Sequence, residues 1–166
     1  MKNRLSSPDN IRRLLHVIHF AADITSPCAV LSVDAEKAFD RLEWPFLWHT
    51  MQRMGFGAKC MIMLKILYNN PSAMVLTGNH WSPRFPILRG TGQGCPVSAL
   101  LFAISLEPLA QKIRLSKEVK QIVVKDTDHN ISLYSDDLLL YLDEVPTTLP
   151  KLLNIFTQFS SISKKP

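Results

Sequence analysis

The stretch ISLYSDDLLLYLDE, residues 131–144, organises the chain around it. A short apolar run precedes Asp136 and Asp137, and a second run, from Leu138 to Leu142, follows them. This pattern predicts a β-hairpin with the two acids at its tip. Two adjacent like charges between apolar strands repel each other and lose hydration, and a divalent cation would relieve both costs. The alternative is a solvated acidic turn without a ligand.

A third carboxylate ends an earlier strand. In AVLSVDAEKAFDRLEW, residues 29–44, the small and β-branched residues predict a strand, and Asp34 stands at its C-terminal end. Three carboxylates placed in this way suit two hard cations held by oxygen ligands, and such a pair can align a phosphoryl transfer. Asp34 and Asp136 are 102 positions apart, so the site requires the intervening chain to fold back.

Composition sets the bounds on fold and partners. The 166 residues are 46% hydrophobic and 20% charged, which is enough for one globular domain with a buried core. A net charge of +5 is compatible with a polyanionic partner but does not require one. Three scattered cysteines predict reduced thiols in an intracellular protein, nuclear or cytoplasmic. The polar start predicts no signal peptide, and the longest apolar run is too short to cross a membrane.

The N-terminal part predicts a helix. A helix start at residues 7–10 is followed by IRRLLHVIHFAADI, residues 11–24. We expect its apolar face, at helical spacing, on Leu14, Leu15, Ile18 and Ala22. Arg12 and Arg13 near its start either contact phosphates or form a solvated face.

Two more helices and a hairpin are predicted next. Residues 43–55 (EWPFLWHTMQRMG) form a helix with an apolar stripe, and residues 58–70 (AKCMIMLKILYNN) form a second that stops at Pro71. The Met and Leu side chains of both are expected to pack in the core. Two short strands around a Gly-Asn turn predict a hairpin in residues 72–90.

A glycine-rich loop, RGTGQGCPVS at residues 89–98, leads into a long apolar helix, about Val97 to Ile113, with Pro108 as a kink. Its glycines permit close approach of a ligand, and a helix N-terminus can hold phosphate. A simple loop would show the same pattern, and the Lys-Ser or Lys-Thr pair of a P-loop is missing.

The C-terminal part completes an α+β fold. Residues 119–125 predict a strand, 126–130 a polar turn, and the two prolines at 146 and 150 a loop before a last helix at 149–162. The predicted architecture is a small, mainly antiparallel sheet with helices packed on one face and the acids exposed on the other.

Three motifs together resemble the palm of a reverse transcriptase of the non-LTR retrotransposon (long interspersed element) type. VLSVDAEKAFDRLEW is similar to the first catalytic motif of that family, RGTGQGCPVSALLFAISLEPLA to its nucleotide-facing motif, and ISLYSDDLLLYL to its paired-aspartate motif. PDNIRRLL resembles the segment ahead of the first motif. The resemblance covers about residues 3–163. It implies a partial reverse transcriptase domain over residues 1–166, a palm with part of the fingers, from which most of the fingers and the thumb are missing.

The resemblance also implies roles for individual residues. The metal ligands would be the catalytic carboxylates Asp34, Asp136 and Asp137, with the carbonyl of Ala35, around two Mg²⁺ ions for which Mn²⁺ can substitute. Phe39 would exclude a ribose 2′-hydroxyl, although an ordinary core aromatic fits the residue as well. The incoming nucleotide would meet Gln93 and Gly94, with Arg89 on the rim. The partners would be an RNA template, a DNA primer and a deoxynucleoside triphosphate, bound mainly through backbone and shape.

Departures from the family pattern affect the expected activity. Gly92 stands where the family usually has an arginine, Ser135 where it has alanine, and Ala99 where it has proline. The grip on primer and template needs the thumb, which the resemblance implies is missing, and positioning contributes much to such chemistry. We therefore expect metal binding and weak nucleic-acid binding, without efficient polymerisation by the 166 residues alone. Two alternatives remain at this point, a non-catalytic nucleic-acid-binding remnant and an unrelated two-metal nuclease. The oligomeric state is open.

Overall fold

The computed structural model describes residues 7–21, 28–34, 37, 39–92, 95–120, 122–124, 127–129, 131–134 and 137–163. Some of these, Arg13 and Asp137 among them, are described by their backbone alone. Within the described ranges, no helix combines the length and the apolar character that crossing a bilayer requires.

Helices and small antiparallel sheets alternate along the described residues, which confirms the α+β class. The helices are α1 (Ser7–Ala21), α2 (Trp44–Arg53), α3 (Ala58–Leu67), α4 (Pro96–Leu115) and α5 (Val145–Ser163). The strands are β1 (Ala29–Asp34), β2 (Ser72–Ala73), β3 (Leu76–Thr77), β4 (His80–Trp81), β5 (Phe85–Pro86), β6 (Ile122–Val124), β7 (Thr127–His129), β8 (Ile131–Tyr134) and β9 (Asp137–Leu142). The chain divides into a first unit, Met1–Glu36 with Leu106–Ser161, and a second unit, Lys37–Ser105 with Ile162–Pro166.

The first unit is built on a three-stranded antiparallel sheet in the order β1-β9-β8. Strand β9 lies in the centre, and all six of its residues pair with β1, from Ala29 opposite Leu142 to Asp34 opposite Asp137. Strands β8 and β9 form the hairpin predicted from the Asp-Asp pair, with Tyr134 opposite Asp137.

Both faces of this sheet carry packed elements, so the prediction of helices on one face only is wrong. Leu138, Leu140 and Leu142 pack in one cluster with residues of α4 and α5. Tyr141, from the opposite parity of the same strand, is fully buried in a second cluster with Val17 of α1 and Ile122 of β6. The reason is the composition of β9, which is apolar at both parities and loses water-exposed area only when both faces are covered.

The buried face of α1 agrees only in part with the predicted one, because Leu14 packs against the cluster of Val17 and Tyr141 as expected and other residues do not. Val17 is fully buried, whereas Leu15 and Ile18 are 60% and 52% exposed. The helix carries apolar residues around much of its circumference, so helical spacing alone allowed two stripes. The tertiary contact with Tyr141 selects the stripe through Val17.

The second unit has its own core. Leu47 and Met51 of α2, Met61 of α3, and Leu101 and Ile104 of α4 are buried together, as expected for α2. The expectation for α3 is only partly right, because four of its large apolar residues stay more than half exposed. These are Ile62, Met63, Ile66 and Leu67.

Of three further predictions from the sequence, one is confirmed and two are wrong. The hairpin of residues 72–90 is present, with β3–β4 nearest the Gly-Asn turn and β2–β5 further out. The predicted polar turn at 126–130 contains β7, which pairs with β6 across a two-residue connection. The predicted loop at Pro146 to Pro150 is the start of α5. Pro146 lies in the first helical turn, where the N–H groups have no intrahelical partner and a proline therefore loses no hydrogen bond, whereas Pro150 lies inside the helix.

Candidate active site

The fold brings two of the three acidic positions to one rung of the central ladder. Asp34, the last residue of β1, pairs with Asp137, the first residue of β9. Directly opposed residues of an antiparallel pair have Cα atoms about 4.5–5.5 Å apart. The intervening chain therefore folds back as the sequence required, and two carboxylate-bearing residues occupy neighbouring backbone positions.

The side chain of Asp34 lies on the face of β1 that points away from the α4–α5 core. Exposure alternates along β1, with Val30, Ser32 and Asp34 exposed. The residues between them are half-buried, and Leu31 and Val33 pack against the cluster that includes α4 and α5. An exposed carboxylate at a strand end is accessible to a cation and to a substrate from solvent.

Several predicted site residues lie outside the described part of the chain. These are Ala35, Gln93, Gly94 and Asp136. The side chain of Asp137 is also outside it. Among the side chains that the structure describes, no three His, Cys, Asp or Glu residues form a group that could hold a metal. The three-carboxylate site therefore stays a prediction, based on the backbone register of Asp34 and Asp137.

In the second unit, Phe39 lies half-buried against α4. Its ring centroid is 5.1 Å from that of Phe102, with the ring planes tilted by 43°. Phe102 is 5% exposed and belongs to the interior, whereas Phe39 keeps part of its surface in solvent. An aromatic ring supported on one side and open on the other can meet a ligand.

The Phe39 loop, residues 39–43, is hydrogen-bonded through its backbone to the glycine-rich loop. The N–H of Gly90 donates to the carbonyl of Leu42 at 2.8 Å, and the N–H of Thr91 donates to the carbonyl of Phe39 at 2.7 Å. The indole N–H of Trp44 donates to the carbonyl of Gly90 at 2.8 Å. These three bonds join two loops that lie about 50 residues apart in sequence.

Similarity to known proteins shows the family of this chain. Residues 1–164 match the profile of the family described as reverse transcriptase (RNA-dependent DNA polymerase). The chain belongs to the reverse transcriptase family. This confirms the family that the three motifs predicted, including its retrotransposon type.

Relatives of this reverse transcriptase chain come from mobile elements. It is 35% identical over 141 residues to the uncharacterized 149 kDa protein of transposon TX1 from Xenopus laevis, covering 82% of the chain and 10% of that protein. It is 32% identical to the Pol polyprotein of type-1 retrotransposable element R2 from Popillia japonica, covering 84% and 23%. For the Pol polyprotein of element R2DM from Drosophila melanogaster, the identity is 28% and the coverage is 81% and 12%. The chain thus spans less than a quarter of the length of these relatives.

Of the three basic residues predicted for the site, the structure describes the side chains of Arg12 and Arg89, and only the backbone of Arg13. Arg89 is 61% exposed and pairs with Glu43, with 3.3 Å between Nη1 and Oε1. An exposed pair of this kind stabilises the fold by at most about 1 kcal/mol, so the guanidinium can exchange Glu43 for a phosphate. Arg12 is exposed on α1, and Arg13 follows it on the same helix.

Sequence reasoning missed a polar and aromatic support behind the glycine-rich loop. The ring of Tyr68 lies between Trp44 and Trp48, at centroid distances of 5.3 and 5.6 Å. Burial and the nearby Cys95 raise the pKa of Tyr68, while the nearby hydroxyl of Ser98 lowers it. The net shift is upward, so Tyr68 is a neutral phenol at neutral pH. Aromatic residues at helix ends are normally core residues, and no sequence signal distinguishes these from others.

Ser98 connects this support to the loop itself. Its hydroxyl donates to the carbonyl of Gly92 at 2.7 Å, and Ser98 is 3% exposed. The hydroxyl oxygen of Thr91, in contrast, is buried and has no hydrogen-bond partner among the described residues. The loop is therefore held at Gly90 and at Gly92.

Proposed function

We propose that this chain is the palm-centred part of an RNA-directed DNA polymerase, working inside the cell in the nucleus or cytoplasm. The reaction would transfer a nucleotide from a deoxynucleoside triphosphate to the 3′-hydroxyl of a DNA primer on an RNA template. The observation that carries this proposal is the pairing of Asp34 with Asp137 at the end of the central ladder. Membership of the reverse transcriptase family supports it.

The donor set fits hard divalent cations. Asp34 has an exposed carboxylate, and Asp136, Asp137 and the carbonyl of Ala35 would add further oxygen ligands. Two Mg²⁺ ions, or Mn²⁺, would when bound neutralise the triphosphate and make the primer hydroxyl a better nucleophile. Asp34 and Asp137 lie opposite each other on one rung of the β1–β9 ladder, so the backbone needs no rearrangement to bring these two residues near one another.

Phe39 would select the sugar of the nucleotide. Its ring is fixed against Phe102 on one side, so it cannot retreat in that direction from a ligand on the other. A 2′-hydroxyl pressed against the ring would also lose its hydrogen bonds to water. Gln93 and Gly94 would lie against the same nucleotide, and Arg89 would contact its phosphates from the rim.

The charge distribution supports a nucleic-acid partner for the second unit. Residues 44–106 contain five Lys or Arg residues and no Asp or Glu, whereas the rest of the chain has 14 of each kind. The whole net charge of +5 therefore comes from this stretch. All five cations are exposed, and they are Arg53, Lys59, Lys65, Arg84 and Arg89. The hairpin in the same stretch exposes two aromatic rings, Trp81 at 64% and Phe85 at 44%. Cations beside exposed rings are typical of surfaces that bind single strands.

Trp81→Ala is expected to weaken binding of single-stranded RNA by about tenfold, since a stacked base contributes about 1–3 kcal/mol. Arg84→Gln is expected to lower the slope of log K against log salt by about 0.7, the value for one phosphate contact. Fluorescence anisotropy over a salt series measures both. Lys151→Gln, which removes an exposed cation from α5, is the matched control. Equal effects of Arg84→Gln and Lys151→Gln on the salt dependence would show that the hairpin is not part of the binding surface.

Gly92→Arg is expected to tighten binding of the nucleotide or template by about tenfold, because an arginine contributes a charge-assisted bond to phosphate. A Cβ at Gly92 would meet no atom within 4 Å, so the position has room for the side chain that the family usually carries. Gly92→Gln fills the same space without charge and serves as the control. Tightening by the glutamine as well would show that charge is not the cause.

A non-catalytic nucleic-acid-binding remnant is the second candidate, and Gly92 favours it, because the family's usual positive charge is missing there. Extension of a DNA primer on an RNA template, with Mg²⁺ or Mn²⁺, separates the two functions. We expect slow extension by the 166 residues, which Asp136→Asn abolishes. Binding of nucleic acid without extension from either protein would identify the remnant. Strand cleavage without any nucleotide present would instead identify a nuclease.

A further inference from the structure

We propose that Trp44 is a positioning residue, which holds the backbone of Phe39 through Gly90 and so sets how closely the Phe39 ring meets the sugar of a nucleotide. This inference rests on the sugar-selecting role proposed above for Phe39. Trp44 bonds to Gly90 and acts on Phe39 through the glycine-rich loop.

Trp44 is bonded to the glycine-rich loop through Gly90. Gly90 is buried, its carbonyl accepts from the Trp44 indole at 2.8 Å, and its N–H donates to Leu42 at 2.8 Å. Both backbone groups of this glycine are therefore engaged, one by helix α2 and one by the Phe39 loop. A buried carbonyl that lost the indole would shift toward another donor or toward water.

The glycine-rich loop and the Phe39 loop approach each other closely at Gly90. A Cβ built on Gly90 would stand 3.0 Å from the carbonyl oxygen of Phe39 and 3.1 Å from the Cα and the carbonyl oxygen of Asp40. Gly90 also has a φ of +87°, which glycine adopts without strain. With so little space between the backbones, a displacement of Gly90 moves the Phe39 carbonyl instead of being absorbed by a gap.

Trp44 is itself held in place by its neighbours. Its ring meets the ring of Tyr68 edge-on, with 5.3 Å between the centroids. On the other side of Thr91, the hydroxyl of Ser98 donates to the carbonyl of Gly92. Trp44 and Ser98 thus hold the two glycine carbonyls on either side of Thr91, whose N–H bonds to Phe39. Any change at Trp44 would reach Phe39 by way of Gly90 and Thr91.

The experiment uses the full chain with 4-fluorophenylalanine at position 39 and records its ¹⁹F resonance in Trp44→Phe. This variant keeps a ring beside Tyr68 and loses the N–H donor. Trp48→Phe is the matched control, because Trp48 lies on the same helix and also packs on Tyr68, at 5.6 Å. If Trp44→Phe does not fold, benzothienylalanine at position 44, with sulfur in place of the N–H group, removes the donor alone. Discrimination between deoxy- and ribonucleoside triphosphates is measured in parallel by Mn²⁺-dependent extension.

We expect Trp44→Phe to shift or broaden the Phe39 resonance and to lower sugar discrimination by about tenfold, the factor that corresponds to one hydrogen bond of ~1.4 kcal/mol. Adding Phe39→Val should then cause no further loss of discrimination beyond that of Phe39→Val alone. An unchanged resonance, or an equal change in Trp48→Phe, would overturn the proposal. A resonance that moves while the wild type discriminates between no sugars would support the positioning by Trp44 and refute the proposed role of Phe39.

Discussion

Asp34→Asn is expected to lower metal-dependent primer extension by about two to three orders of magnitude, which corresponds to about 3–4 kcal/mol of transition-state stabilisation. The substitution replaces a negatively charged ligand by a neutral amide, and a hard cation binds the amide more weakly. Asp34 is exposed at the end of β1, so its side chain contributes little to the core and the fold should be retained. Extension of a DNA primer on an RNA template measures the rate, and Mn²⁺ titration by electron paramagnetic resonance measures the binding.

Glu118→Gln is the control for this experiment, since it also removes one exposed negative charge from the first unit. We expect it to leave both extension and Mn²⁺ binding close to the wild type. Full Mn²⁺ affinity in Asp34→Asn would contradict a metal site at the Asp34–Asp137 rung. Full activity would contradict the polymerase proposal itself.

Leu140→Ala is expected to lower the free energy of unfolding by about 2–5 kcal/mol, a large part of the 5–15 kcal/mol typical of a domain. Leu140 is fully buried in the middle of β9, opposite Leu31 on one side and Ile131 on the other. Its truncation leaves a cavity beneath α4 and α5 that packed strands and helices cannot fill. Urea unfolding followed by circular dichroism measures the change.

Leu153→Ala, on α5, is the matched control, because Leu153 is 53% exposed and its truncation creates no buried cavity. A loss below about 0.5 kcal/mol is expected there, the usual range for surface changes. Equal losses from the two leucines would show that β9 is not the centre of the core. Since β9 also carries Asp137, Leu140→Ala should weaken Mn²⁺ binding at temperatures near its unfolding transition.

The local elements could be predicted from the sequence because each depends on short-range patterns. The hairpin around Asp136 follows from apolar runs that flank a polar pair, and the strand that ends at Asp34 follows from small and β-branched residues. Motif order was sufficient for the reverse transcriptase family. The boundary of α5 was missed because a proline is compatible both with a loop and with the first turn of a helix.

What the sequence by itself determined is the family, the positions of the acidic residues and most of the helices and strands, but not β7 or the start of α5. Tertiary structure alone decided that Asp34 stands opposite Asp137, that α1 buries Val17 instead of Ile18, and that Trp44 reaches Gly90. The physical reason is that hydrophobic patterns and backbone propensities act over a few residues. They do not specify which distant element a helix or strand packs against. Register, choice of face and hydrogen bonds between distant loops depend on which surfaces meet, and this is settled only when the whole core packs.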